Sequence, residues 1–168
     1  MSVCVAQPTA KDIELLYETA RIAAQSRRDG NHPFGALLAD RDGNILMEQA
    51  NEVVSTHNDC GHAETMLLMR AAKAYDREFL ATCSLYTSVE PCVMCSGALY
   101  WANVGRLVYA LTESKLLGMT GGNPENPTFD LPCKEVLAHG QKDIVIVGPV
   151  DDAALIARIV HDHEGFWD

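Results

Sequence analysis

The sequence predicts an α/β domain with helices packed on a five-stranded sheet. Three observations carry this. Apolar strand-like runs alternate with helix-like segments along the whole chain, the pattern of a layered sheet-and-helix domain. The 168 residues suit one domain, 1–168, with a core of ordinary size. With 48% apolar and 21% charged residues, and no repeat, low-complexity tract or linker, the composition is globular.

Each element has its own signal. Residues 9–29 read as an amphipathic helix, with Thr9 as cap and Ile13, Leu16, Tyr17, Ala20, Ala23 and Ala24 near one face. Phe34 to Ala39 is an apolar strand, Asp42-Gly43 a hairpin turn, and Ile45 to Val53 the return strand. Residues 62–75 have strong helix propensity, and Ser84 to Ser88 reads as a strand. Pro91 sits where a helix to about Ala102 would begin, a position suited to its fixed φ. Arg106 to Leu111 is the next strand, and Thr112 caps a short helix to Leu117. Breakers crowd residues 118–132 (Gly118, Gly121, Gly122, Pro124, Pro127, Pro132), which predicts a long loop of the kind that often carries function. A helix (133–139), a strand (143–147) and a helix (152–163) complete the pattern before an acidic aromatic tail, Glu164 to Asp168.

The charge sum is 13 basic minus 23 acidic residues, or −10. Nucleic-acid binders usually present a basic surface to phosphates, so nucleic acid is not expected as the main partner. No apolar run reaches the roughly 18 residues of a membrane span. The first eight residues lack a basic stretch followed by an apolar one, so no signal peptide is expected and the chain is placed in the cytoplasm. Its six cysteines, Cys4, Cys60, Cys83, Cys92, Cys95 and Cys133, are then expected as thiols or metal ligands.

Two short segments carry chemistry: His62-Ala63-Glu64 and Pro91-Cys92-Val93-Met94-Cys95. Cys92 and Cys95 are spaced i, i+3 at a helix start, so both sulfurs can reach one metal. His62 supplies a third ligand from another helix start. Thiolate sulfur and imidazole nitrogen suit one Zn²⁺ per chain, and three protein ligands leave a fourth position for water. Two helix N-termini add partial positive charge that helps keep the thiols ionised. Glu64 is the natural proton carrier beside such a site. The bland alternative is a closed structural cage in which Cys60 is the fourth ligand. His57 is a nearby loop or pocket residue. His32, His139, His161 and His163 have no metal-ligand spacing.

The combined pattern H-x-E…P-C-x-x-C is the signature of zinc deaminases, and most of the chain resembles the cytidine deaminase superfamily. Asn31-His32-Pro33-Phe34-Gly35-Ala36 resembles its first-strand motif, and Asn51 stands eleven residues before His62. The block from Leu85 to Ala98 resembles its zinc helix, continued by Tyr100-Trp101-Ala102 in the manner of bacterial guanine deaminases. The tail looks more like that of the fungal cytosine enzyme than the basic helix of tRNA adenosine deaminases. This resemblance implies a mixed sheet with helices on both faces, zinc on His62, Cys92 and Cys95, and proton transfer by Glu64. It implies further that Asn51 binds the base, that Phe34 lines the pocket, and that the backbone near Ser88 and Glu90 faces leaving ammonia. The Ala63 N–H would lie near the reacting oxygen. Phe166 and Trp167 would cap the pocket, with Asp168 or Glu164 binding an amino or ring N–H, or the aromatic end would merely dock on the sheet. Phe34 could instead be plain core, and Trp101 core or dimer interface.

The function expected from this resemblance is hydrolytic deamination of a free aminated heterocycle, a small molecule of guanine type. The alternatives are a tRNA adenosine deaminase, a cytosine or nucleoside deaminase, and a non-catalytic zinc module. The resemblance also implies a homodimer, with Met94, Leu99, Tyr100 and Trp101 offering an apolar face.

Overall fold

The computed structural model describes residues 3–168. Its sheet has six strands, one more than expected. In chain order these are β1 (Val3–Val5), β2 (Gly35–Ala39), β3 (Ile45–Ala50), β4 (Ser84–Val89), β5 (Arg106–Leu111) and β6 (Ile144–Val147). They lie in the order β1-β6-β5-β4-β2-β3. The pairs β2·β3 and β2·β4 are antiparallel, and the rest are parallel, so the sheet is mixed. The unexpected strand is β1, whose three residues pair with Ile144, Val145 and Ile146 of β6. So short a run has no periodicity of its own; its partner lies far along the chain.

The helices are α1 (Ala10–Arg28), α2 (Val53–Thr56), α3 (Ala63–Ala74), α4 (Arg77–Leu80), α5 (Val93–Ala102), α6 (Glu113–Thr120), α7 (Cys133–Ala138) and α8 (Ala153–His163). They cover both faces of the sheet. Side chains alternate across a strand, and β4 and β5 split accordingly. Leu85, Leu107 and Tyr109 join Leu67, Leu68 and Leu99 of α3 and α5 on one face. Tyr86, Val108 and Ala110 join Leu15, Leu16 and Ile159 of α1 and α8 on the other. Leu99 is therefore core, and cannot contribute to a dimer face as expected.

Local chemistry explains most boundaries. Thr9 and Asp12 form a reciprocal capping box at the start of α1. Asp12 is buried and also takes a two-pronged ion pair from Arg106 (2.8 and 2.7 Å) and the Tyr86 hydroxyl at 2.7 Å. This ties α1 to β4 and β5. Burial opposes its charge, but Arg106, the Thr9 N–H and Tyr86 hold its carboxyl well below the usual carboxylate range. Gly35 lets β2 approach α1 closely, since a Cβ there would fall 2.5 Å from the Thr19 carbonyl oxygen. The return strand ends at Ala50 rather than Val53, because the Asn51 side chain accepts the Val53 N–H at 3.0 Å and turns the chain into α2. Helix α6 runs to Thr120, past the expected Leu117, so the following loop is shorter than predicted. No described helix is long and apolar enough to cross a membrane.

Candidate active site

The site forms at the C-terminal ends of the parallel strands β4 and β5, the usual place for ligands in open α/β sheets. His62 is the N-cap of α3 and Cys92 the N-cap of α5. Pro91 thus precedes the cap instead of opening the helix. Neither capping side chain bonds its own helix, which leaves both free for a ligand. Cys95 lies in the first turn of α5. The contacts between α3 and α5 bring the three ligand atoms together, all within 4.8 Å of one another. His62 Nδ1 lies 3.6 Å from each sulfur. Tetrahedral zinc bonds of about 2.0 Å to nitrogen and 2.3 Å to sulfur put such ligands roughly 3.5 Å apart. The donor set and its spacing therefore fit one zinc ion. Cys60 is exposed and stands outside this group, so the four-ligand cage is not what the chain builds.

The three ligand groups interact electrostatically. Cys92 is pulled down to about 4 by the hydrogen bond from the Cys95 thiol and by His62. The same bond, with burial, pushes Cys95 up. Burial pulls the His62 imidazole down, but the Cys92 hydrogen bond and the Glu64 and Cys92 charges raise it on balance. The Thr65 hydroxyl lies 3.2 Å from Cys95 Sγ and steadies it.

Glu64, in the first turn of α3, is buried beside the ligands with Oε2 3.6 Å from Cys95 Sγ. Burial raises its pKa, which favours uptake of a proton by a group placed for acid–base work. The Thr87 hydroxyl at 2.7 Å fixes its other oxygen.

Two connected spaces open here. An inner recess of about 30 Å³ is walled by Phe34, Glu64, Val89, Glu90 and Leu116, with His62, Cys92, Glu113 and Asn126 at its neck. It has room for a water-sized group. The same four neck residues border an outer groove of about 630 Å³, which also takes in His57 and Asp59 and is roofed by Pro124 to Phe129 of the long loop. Phe34 thus lines the recess, and the loop does cover the groove.

Other expected residues sit differently. Asn51 is buried next to Phe34, whose carbonyl takes its N–H at 3.1 Å. Ala63 is fully buried behind His62. The Ser88 hydroxyl accepts the Gly35 N–H at 3.3 Å and so braces β2. The Glu90 carboxylate accepts the N–H groups of Glu113 (3.0 Å) and Cys133 (2.9 Å), which pins the starts of α6 and α7. Trp167 is buried against His32 and Phe34, with ring centroids 5.0 and 6.1 Å away, so it backs the Phe34 wall. Asp168 is exposed and outside both spaces, and Glu164 is exposed as well. The residues that sequence reasoning missed are Thr87 and Glu113. Glu113 belongs to no motif; it reaches the neck only because β5 runs parallel to β4 and ends beside it. Burial, together with the Cys92 and Glu64 charges, pushes its carboxyl up to about 8.

With this geometry, the fold and site define a zinc-dependent hydrolytic deaminase acting on a C–N bond. Residues 10–111 match the cytidine and deoxycytidylate deaminase zinc-binding region, and the chain belongs to that family. It is similar to a probable cytosine deaminase of Schizosaccharomyces pombe, 35% identical over 94% of this chain and 93% of the relative. It is also similar to the guanine deaminase of Bacillus subtilis, 42% identical over 46% of this chain and 49% of that protein. Among solved structures, a guanine deaminase from Nitrosomonas europaea superposes with a TM-score of 0.72 at 26% identity, covering 94% of this chain and 87% of its own. tRNA-specific adenosine deaminases match as well.

Proposed function

We propose that the chain deaminates a free nucleobase or related aminated heterocycle of guanine type in the cytoplasm, releasing ammonia. The observation that carries this is the recess bounded by Glu64, His62 and Cys92, opening onto a groove whose lining holds Asp59, Glu113 and Glu125 but no lysine or arginine. A tRNA backbone or a nucleotide phosphate would meet acidic side chains there and no lysine or arginine to hold it. A neutral ring would not.

Zinc, when bound, supplies a Lewis acid that acidifies water for attack on carbon. The chain's own groups do the rest. Phe34 offers an apolar wall to a ring. Glu64 carries a proton to a ring nitrogen and then to the departing amine, and Thr87 holds its carboxyl in register. A carbon bonded to both an amine and a ring nitrogen fits this proton traffic, and the similarity to guanine deaminases of two organisms supports a base of guanine type.

One observation favours cytosine as a second reading: the S. pombe relative is similar over 94% of this chain and 93% of its own length. Ammonia release from zinc-loaded protein offered guanine, cytosine, adenosine and a tRNA anticodon arm separates the readings. Guanine is expected to turn over fastest. Glu64→Gln should lose about 10²–10⁴-fold in kcat with its zinc retained. Unchanged turnover in that variant would refute the mechanism, and a preference for cytosine would refute the substrate.

A homodimer is part of the same proposal. Trp101 is 76% exposed at the end of α5, with Met94 and Tyr100 half-buried on that helix. Sedimentation of the purified protein should show two copies.

A further inference from the structure

Four acidic side chains are buried among the described residues: Asp12, Glu64, Glu90 and Glu113. Three have donors. Asp12 holds Arg106, Tyr86 and the Thr9 N–H. Glu64 holds the Thr87 hydroxyl, and Glu90 holds two backbone N–H groups. Glu113 is only 5% exposed, yet its carboxylate has no hydrogen-bond or ion-pair partner among the described residues. Its oxygens are not among the polar atoms closed off without a partner, so the carboxyl opens onto the space it lines. Glu113 borders both the inner recess and the outer groove, beside the spot where a ring must present the carbon that loses its amine. The groove offers no lysine or arginine to pair with it, which leaves the carboxyl open to a donor carried by the ligand.

We propose that Glu113 is a specificity-determining residue whose carboxyl oxygen accepts a hydrogen bond from a ring N–H adjacent to the amine-bearing carbon, which selects cyclic guanidines. This rests on the deaminase reading above and narrows it. In a cyclic guanidine such as guanine, the attacked carbon lies between a bare nitrogen and an N–H. Glu64 serves the bare nitrogen, as donor once protonated, and Glu113 serves the N–H. In cytosine the corresponding neighbour is a carbon outside the amidine, whose C–H leaves Glu113 unpaired. A site built around a polar partner rejects ligands that lack it far more strongly than an apolar site rejects a change in size.

The test compares guanine with 2-aminopurine, which lacks the N1–H, and 1-methylguanine, which blocks it. Binding is measured by calorimetry on zinc-loaded Glu64→Gln protein, which cannot turn substrate over, and steady-state kinetics on the parent enzyme. Guanine should bind at least tenfold more tightly than either analogue. Adding Glu113→Ala should erase that gap: guanine weakens tenfold or more and 2-aminopurine changes less than threefold. In kinetics, KM for guanine should rise while kcat stays within a few-fold. Glu113→Met, which keeps the length but has no oxygen acceptor, repeats the measurement should the alanine variant fold poorly, and zinc content and Tm report folding of each. An enzyme that deaminates guanine but keeps the same gap after Glu113→Ala overturns this inference alone. So does equal loss for both ligands, or a parent enzyme that prefers cytosine. A parent protein that releases ammonia from nothing overturns the deaminase reading and this inference with it.

Discussion

The Thr87 hydroxyl lies 2.7 Å from Glu64 Oε1 and 3.0 Å from the Val89 carbonyl oxygen, with one proton to offer two acceptors. The conflict resolves with the state of Glu64. When that carboxyl is ionised, Thr87 donates to it. When it is protonated, Glu64 donates to Thr87 and Thr87 donates to Val89. The pair therefore holds Glu64 in one place through both halves of a proton transfer.

Thr87→Val keeps the shape and removes the bond. Hydrogen bonds to charged groups contribute about 1.5–3 kcal/mol, so kcat should fall roughly 10–100-fold, with zinc content unchanged. Because the bond lowers the Glu64 pKa, its loss should move the acidic limb of the kcat/KM profile to higher pH. Thr87→Ser should restore both rate and limb. A valine variant with an unmoved limb would assign Thr87 to the fold alone.

The metal centre is expected to need three side chains and not a fourth. Cys60 is exposed and outside the ligand group, so Cys60→Ser should keep one zinc per chain and full activity. Cys92→Ser should lose both, and a chelator should reproduce that loss in the parent while lowering its Tm. Metal analysis of the two variants decides; zinc missing from Cys60→Ser would restore the closed cage.

Glu90 is a structural clamp in this arrangement. Its two oxygens each take one backbone N–H, from Glu113 and from Cys133. A glutamine has one acceptor oxygen and would turn an NH₂ toward the other donor. Glu90→Gln should cost about 1–3 kcal/mol in denaturant unfolding, with Glu113 loosened as a consequence. A change under about 0.5 kcal/mol, the range of a neutral surface substitution, would show that the clamp is dispensable.

These residues also show what the sequence discloses. His62, Glu64, Cys92 and Cys95 are legible because each pair sits within one helical turn, where spacing alone sets geometry. Strands β2, β4, β5 and β6 are legible from their apolar runs. β1 is not, because three residues carry no period and its pairing with β6 spans most of the chain. α2 is hidden because Val53 and Val54 favour a strand, while the Asn51 side chain overrides them. Glu113 and Thr87 are hidden because strand register places them, not local pattern. The tail leaves two readings open, a pocket cap or an end docked on the body; Trp167 turns inward while Asp168, next to it, is exposed.

The inward turn of Trp167 leads to a pH prediction. Its indole N–H donates to His163 Nδ1 at 3.2 Å, and the His163 ring packs edge-on to Phe34 at 5.1 Å. His163 Nε2 is buried without a partner among the described residues. Burial, and then the Arg27 and His32 charges, lower the His163 pKa from 6.5 to about 4. Between those values the unfolded chain takes up a proton that the folded chain refuses. Stability contributed by neutral His163 is thus complete above pH 6.5 and is lost as pH falls toward 4, with a gap worth about 3 kcal/mol. Asp12 acts in a separate window, since its pKa is lowered from an ordinary value of 3.8. Urea unfolding at several pH values from 7.5 to 4.5 should show stability falling, and His163→Gln should flatten that fall by about one proton. Trp167 fluorescence should report release of the tail over the same range in the parent. An equally steep fall in the variant would mean that another group carries the acid sensitivity.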